Sequence, residues 1–345
     1  MDHLESIKEY YGKILKSNQD LKTTACCSVS EPPAYLKTIV KKIHPEISER
    51  FYGCGSPIPP ELEGCTILDM GCGSGRDAFI LSNLVGKKGH VIGIDMTQSQ
   101  LDIANQHKEY HRTKFEHEIS NVEFKLGYME ELESLGIKND SIDVIISNCV
   151  FNLSPHKEKV FKEIFRVLKP GGELYFSDVF SSRRIPESLA QDPILRGECL
   201  GGALYIEDFR RVLKRVGCFD FRIMSKTKVE LSHFEIKKKI GSIDFCSITI
   251  RAFKLSLEDQ CEDYGQVGYY LGTLPEFPHE FQLDDHHMFK RGRPLLICGN
   301  TADMISKTRY QKHFKIVGTK EIHYGLFDCT PKNSIQTISS DGACC

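Results

Sequence analysis

"ILDMGCGSGRDAF", Ile67 to Phe79, decides how the chain is read. Its first residues end an apolar run of strand length. Glycines at 71, 73 and 75 then let backbone come close to a ligand, and the residues that follow have helical spacing, so the helix start offers its N–H groups to an anion. A strand, a glycine turn and a helix in that order open a βαβ unit and predict a parallel sheet. The dinucleotide fingerprint G-x-G-x-x-G fits poorly, because the loop reads G-x-G-x-G after Asp69 and Arg76 stands where glycine is required. A glycine loop alone is weak evidence. Asp95 strengthens it: it ends the next strand-like run about twenty residues on, where a carboxylate takes both hydroxyls of a ribose.

Outward from the loop the alternation continues from about residue 62 to 180. Cys65 to Asp69, Val91 to Asp95, Val122 to Leu126, Ile142 to Ser147 and Glu173 to Val179 read as strands, with helices over Arg76 to Leu84, Gln98 to Tyr110 and Lys157 to Leu168. Phe219 to Met224 and Phe245 to Phe253 complete a seven-stranded sheet. Residues 1–61 read as a helical cap over the sheet edge, broken by Pro32-Pro33 and by Pro57 to Pro60. The main α/β domain spans 62–255. Residues 256–330 are rich in Tyr, Phe, Gly and Pro and predict a small mixed or β-rich domain; 331–345 read as a polar, disordered tail ending in Cys344-Cys345.

Composition narrows the function. With 45 basic and 47 acidic side chains there is no basic field to recruit nucleic acid or anionic lipid. No apolar run approaches the roughly 18 residues that cross a bilayer. The opening MDHLESIKEYYGKILKS is amphipathic and charged, without the apolar centre of a signal peptide, so a cytosolic protein acting on small molecules is expected. Fourteen cysteines are present but no CxxC pair, and the zinc-finger and thioredoxin readings lose their support. In a reducing compartment most cysteines are small buried hydrophobes; Cys65 and Cys72 read that way. Cys149 stands apart. It lies in "SNCVFN" at the carboxyl end of the fourth strand, where open α/β sheets bind ligands. His156, the nearest histidine, reads as solvated, so the region offers thiols rather than a general base.

The loop "LDMGCGSG", the "GIDM" ending strand two, "SIDVIISN" as strand four and "RVLKPGGELYFSD" together resemble the class I S-adenosylmethionine-dependent methyltransferases, a Rossmann-like fold. That resemblance implies that Asp69, Gly71, Gly73 and Gly75 line the methionyl end of S-adenosylmethionine, that Asp95 holds the ribose, that Met96 touches adenine, and that Tyr128, Met129 and Glu130 flank the base. Tyr52, Arg76 and Asn148 complete the candidate cofactor set. Core packing is the plain alternative for Met96 and Met129, since Met readily fills gaps.

"YGCG" at Tyr52 to Gly55, "SNCV" at Ser147 to Val150, "GECLGGAL" at Gly197 to Leu204 and "LKTTAC" ending at Cys26 resemble the arsenite methyltransferases, with "LYFSDV" extending the likeness over nearly the whole chain. The resemblance implies repeated methyl transfer to trivalent arsenic, held by Cys149 and Cys199 with Cys54 as third ligand and an arsenic-binding insert near 180–215. It further implies that Cys26, beside Cys27, is a relay thiol able to pair with Cys54, and that glutathione or thioredoxin resets oxidised cysteines. The chemistry is coherent. Soft thiolates select a soft metalloid. Its lone pair attacks the methyl carbon without losing a proton, so no base is needed, and orientation alone can supply about 7 to 11 kcal/mol. A dry pocket walled by Tyr52 and Phe151 would help.

Two other functions fit parts of the sequence: methylation of a quinone or other small molecule at carbon or oxygen, and thiol-based metalloid sensing without turnover. Asp284-Asp285-His286-His287 has metal-ligand residue types, but on a strand neighbours point to opposite faces, so no site is expected. Cys344-Cys345 could capture arsenic. A monomer is expected.

Overall fold

The computed structural model describes Lys8 and residues 33–51, 53, 57–231 and 233–329. Cys26, Cys27, Tyr52, Cys54 and the tail with Cys344-Cys345 lie outside the described residues.

The main sheet contains β1 (Thr66–Met70), β2 (His90–Asp95), β3 (Val122–Leu126), β4 (Ile142–Asn148), β5 (Leu168–Ser181), the short β6 (Leu204–Tyr205), β7 (Phe221–Lys228) and β8 (Phe245–Phe253). Their order is β3-β2-β1-β4-β5-β8-β7, with β6 added beside the end of β5. The first five are parallel, and β8 runs antiparallel to both β5 and β7. Seven strands and the fold class agree with expectation; the two-residue β6 is additional. The central strands are apolar throughout rather than alternating, because helices cover both faces. Ile67, Leu68, Val144, Ile145 and Ile146 are fully buried. Between β1 and β4 the strand order reverses, and the crevice at their carboxyl ends is where this architecture holds ligands.

Helices Arg76–Val85 and Lys157–Val167 match their expected spans. The single helix expected from Gln98 to Tyr110 is instead two, Gln98–Gln106 and Lys108–Lys114. At the break, His107 Nε2 lies 2.8 Å from Glu46 and its ring stacks on His44, so contacts to the short helix Pro45–Glu49 override local propensity.

Beyond β8 come β9 (Glu262–Asp263), β10 (Gln266–Tyr270), β11 (Glu280–Gln282), β12 (Met288–Lys290), β13 (Pro294–Ile297), helix Gly299–Ser306, β14 (Phe314–Val317) and β15 (Gly325–Leu326). They form the antiparallel sheet β13-β10-β14 and the pairs β11-β12 and β15-β9. Tyr270, Phe281, Phe289 and Tyr310 build a core that Phe253 of β8 joins. A buried ion cluster stitches this lobe to the main sheet. Glu173 and Arg251, both fully buried, meet at 2.5 Å; Arg309 also pairs with Glu173, and Arg251 donates to Leu283 O at 2.7 Å. The Lys169-Pro170-Gly171-Gly172 segment, expected as a turn before the strand but found within β5, serves the same junction. Gly171 has φ +77°, and a Cβ there would sit 2.5 Å from Lys307 O.

One expectation is corrected in this lobe. Asp284, His286 and His287 lie in the turn between β11 and β12 rather than on a strand, and their ligand atoms do converge within 4.8 Å. Asp284 is buried against Arg222 at 3.3 Å and His287 at 2.8 Å, which gives the cluster a packing role. Among the described residues no helix is long and apolar enough to cross a membrane.

Candidate active site

The crevice between β1, β2 and β4 opens into a cleft of about 1040 Å³, part of it open to solvent. Its floor is the glycine loop. Gly71 has φ +74°, and an added Cβ would lie 2.4 Å from Val150, so this position requires glycine. Gly73 N donates to Asp95 Oδ2 at 2.9 Å and Thr97 N to Asp95 Oδ1 at 2.8 Å. The Asp95 carboxylate is thus locked in place at the strand end; burial pushes its pKa up, opposed by those two N–H groups.

Asp69 is buried beside it. Its Oδ2 accepts no hydrogen bond, and burial, then the charges of Asp77 and Asp95, raise its pKa well above the usual carboxylate range. Asp77 is held by Arg76 at 2.8 Å and by Asn148 Nδ2 at 3.1 Å. Arg76 serves Asp77, but Asp69 and Asp95 have no ion-pair partner among the described residues, and two more carboxylates at an apolar cleft are costly unless a cation joins them. An ammonium and a sulfonium on a ribose-bearing ligand meet that need, so the residues present fit S-adenosylmethionine.

Of the residues expected to hold the cofactor, Asp69, Gly71, Gly73, Arg76, Asp95, Met96, Tyr128, Met129, Glu130 and Asn148 line the cleft. Gly75 is placed behind the loop. It caps helix Arg76–Val85 at φ +89°, and its missing side chain makes room for the Phe124 ring at 2.8 Å. Glu130 is buried and receives the Ser154 hydroxyl. Sequence reasoning missed Asp77, Thr97, Phe51 and Arg50, which also line the cleft. An acidic residue in the first turn of the loop's helix was the available signal for Asp77. For Phe51, on whose ring Arg76 stacks at 3.9 Å, no such signal existed.

Two thiol-bearing loops meet at the same end of the sheet. Cys149 N donates to Ser177 O at 2.8 Å, which turns the chain sharply after β4, and Cys199 Sγ donates to Cys149 O at 3.3 Å. Both cysteines have left-handed backbone, φ +58° and +60°. They share an apolar cluster with Leu153, Val179, Leu195 and Leu200, with Met96 packed against it. Cys149 lines the cleft and is disulfide-bonded; the other eight described cysteines are in the thiol form. The "GECLGGAL" segment fits closely: a Cβ on Gly202 would sit 1.9 Å from Asn152 O.

Beneath the thiols lies a buried polar network. Asp178 accepts from Asn152 N at 3.1 Å and Asn152 Nδ2 at 2.7 Å, and Lys157 Nζ donates to Ser154 O at 2.9 Å. Burial pushes Asp178 up to about 7 and Lys157 down to about 8. The network fixes the turn 149–154 from below. Phe151 departs from expectation. It is 2% exposed and packs edge-on against Phe161 and Phe176 in the core, because the turn Phe151–Leu153 swings its ring away from the cleft. His156 is exposed, as expected.

Residues 61–217 match a methyltransferase-domain family model. The chain is 47% identical to an arsenite methyltransferase of Aquipseudomonas alcaligenes over 99% of both sequences. It belongs to the arsenite methyltransferase family. The family's Homo sapiens member is 40% identical over 90% of this chain and 83% of its own. The arsenite methyltransferase fold also matches the crystal structure of CrArsM, an arsenic(III) S-adenosylmethionine methyltransferase from Chlamydomonas reinhardtii, with a TM-score of 0.84 and 45% identity over 86% of this chain and 100% of that one.

Proposed function

We propose that this protein transfers methyl groups from S-adenosylmethionine to thiol-bound trivalent arsenic, more than once, as a detoxification step. The observation that carries this reading is that the buried Cys199 reaches Cys149, which lines the cleft whose other wall is the glycine loop with Asp69 and Asp95. S-adenosylmethionine supplies an activated methyl group when bound. Asp95 orients the ribose and Asp69 faces the cationic methionyl end. Cys149 and Cys199, with Cys54 as third ligand, would hold trivalent arsenic beside the donor; gaining a methyl cation raises arsenic to the pentavalent state, and two site thiols return the two electrons by closing a disulfide before the next round. Leu153, Val179 and Leu200 keep water out, and with no proton to remove the step needs no base.

A thiol reductant, glutathione or thioredoxin, resets the site; a disulfide-bonded Cys149 has no thiolate to offer, which supports that requirement. Cys26 relays with Cys54. We place the protein in the cytosol as a monomer, with 1–61 as the cap, 62–255 as the catalytic domain and 256–330 as a separate lobe.

The test is incubation with arsenite, S-adenosylmethionine and thiol, followed by arsenic speciation over time. Mono- and then dimethylated arsenic should accumulate. Cys149→Ser and Cys199→Ser should each cut product by about 100-fold or more while cofactor binding, read by calorimetry, persists. Undiminished methylation in both variants, or methylation of quinones in place of arsenic, would overturn the reading.

A further inference from the structure

Three cysteines far apart in sequence meet in the C-terminal lobe. Cys261 precedes β9, Cys298 caps helix Gly299–Ser306 and Cys329 follows β15, and their sulfurs all lie within 4.8 Å of one another. Strand pairing produces the convergence. β9 and β15 align Asp263 with Gly325 and Glu262 with Leu326, and Phe327 N donates to Cys261 O at 2.7 Å, so the ladder carries both outer thiols to one end. Cys298 is fully buried at the centre. Its sulfur accepts Thr301 N at 3.4 Å and lies 3.2 Å from Thr301 Oγ1 and 3.8 Å from an Arg222 nitrogen. Hydrogen bonds from Cys261 and Cys329, together with the Arg222 charge, hold the Cys298 thiol below the ordinary cysteine range, while Cys261 is pushed up to about 11.

We propose that Cys261, Cys298 and Cys329 form a second thiol site, apart from the catalytic cleft, that binds trivalent arsenic as a pyramidal trithiolate. The donor set selects the ligand. Among the described residues it holds three sulfurs and neither carboxylate nor imidazole. Zinc in a structural site takes four ligands, whereas a soft ion carrying a lone pair is complete with three thiolates. Charge points the same way. Arg222 is already matched by Asp220 at 2.8 Å and Asp284 at 3.3 Å, so a neutral complex suits the pocket. Binding balances without a redox partner: three As–O bonds of arsenious acid are replaced by three As–S bonds, each thiol proton leaves with one hydroxide as water, and arsenic stays trivalent. Cys261 and Cys329 are partly exposed, which gives the ion a path to Cys298. The proposal does not rest on the roles given to Cys149 and Cys199.

The experiment uses full-length reduced protein carrying Cys344→Ser and Cys345→Ser throughout, exposed to arsenite alone and desalted, with bound arsenic counted by mass spectrometry and its sulfur shell read by X-ray absorption. Adding Cys261→Ser, Cys298→Ser and Cys329→Ser should remove one arsenic per chain and leave the initial methylation rate unchanged. A Cys54→Ser, Cys149→Ser, Cys199→Ser protein should keep one arsenic with three sulfurs. If the first triple variant fails to fold, Cys329→Ser alone should reduce that shell to two sulfurs. An unchanged arsenic content in the folded C-terminal variants, loss of the three-sulfur shell from the cleft variant, or zinc that one equivalent of arsenite cannot displace would overturn the proposal.

Discussion

Cys149 and Cys199 adopt a backbone that side chains avoid. Left-handed angles cost a non-glycine residue about 1–2 kcal/mol, and strain of this kind persists where the surroundings over-determine it. Here Ser177 O fixes the Cys149 turn, and Leu195 O accepts from both Leu200 N and Gly201 N just after Cys199. Cys199→Gly should therefore unfold in urea at higher stability than Cys199→Ala, by about 1 kcal/mol, while both variants lose arsenic methylation. Equal midpoints would mean that the left-handed angle carries no strain. Cys149 and Asp95 were legible in the sequence, since each stands at a strand end beside a turn; Cys199, in the turn after helix Pro193–Gly197, was marked only by the resemblance of "GECLGGAL". Asp77 carried a first-turn signal, but its contact with Asn148, 71 positions away, did not show, nor did the inward turn of Phe151, which depends on packing against Phe176.

At the scale of elements, strand periods and the glycine turn made the sheet readable to within a few residues. The break between Gln98–Gln106 and Lys108–Lys114 escaped because its cause lies 61 residues upstream at Glu46. His111, in the second of these helices, shows the consequence. Its Nε2 accepts the His44 N–H at 3.2 Å, its Nδ1 donates to His107 O at 2.8 Å, and its ring stacks on Phe79. Burial pushes it down from 6.5 to about 4. Above pH 6.5 it is neutral in both folded and unfolded chains and its packing counts in full. Between 6.5 and about 4 only the unfolded chain takes the proton, so stability falls with falling pH. Urea midpoints should decline over that window, and less steeply for His111→Gln. Parallel declines would assign the effect to other groups.

Over the whole molecule, the Glu173, Arg251 and Arg309 cluster ties the C-terminal lobe to the sheet that carries the cleft. Removing one partner of a buried ion pair leaves the other charge stranded and costs about 3–5 kcal/mol. Glu173→Gln should lower unfolding stability by that order in a urea titration; a loss below about 1 kcal/mol would show that solvent or rearrangement replaces the pair. The same lobe gathers Cys261, Cys298 and Cys329, which the absence of any CxxC spacing concealed.

By itself the sequence determined the parallel sheet, the glycine loop with its partner Asp95, and the positions of Cys149 and Cys199 at strand and loop ends. All but Cys199 follow from hydrophobic period and turn chemistry within a few residues; Cys199 was marked only by the family resemblance of its segment. Tertiary structure alone decided which charges crowd the cleft, which way Phe151 faces, how the two lobes join, and that three distant thiols share one pocket. Those outcomes depend on contacts between segments tens of residues apart, whose pairing no local pattern encodes.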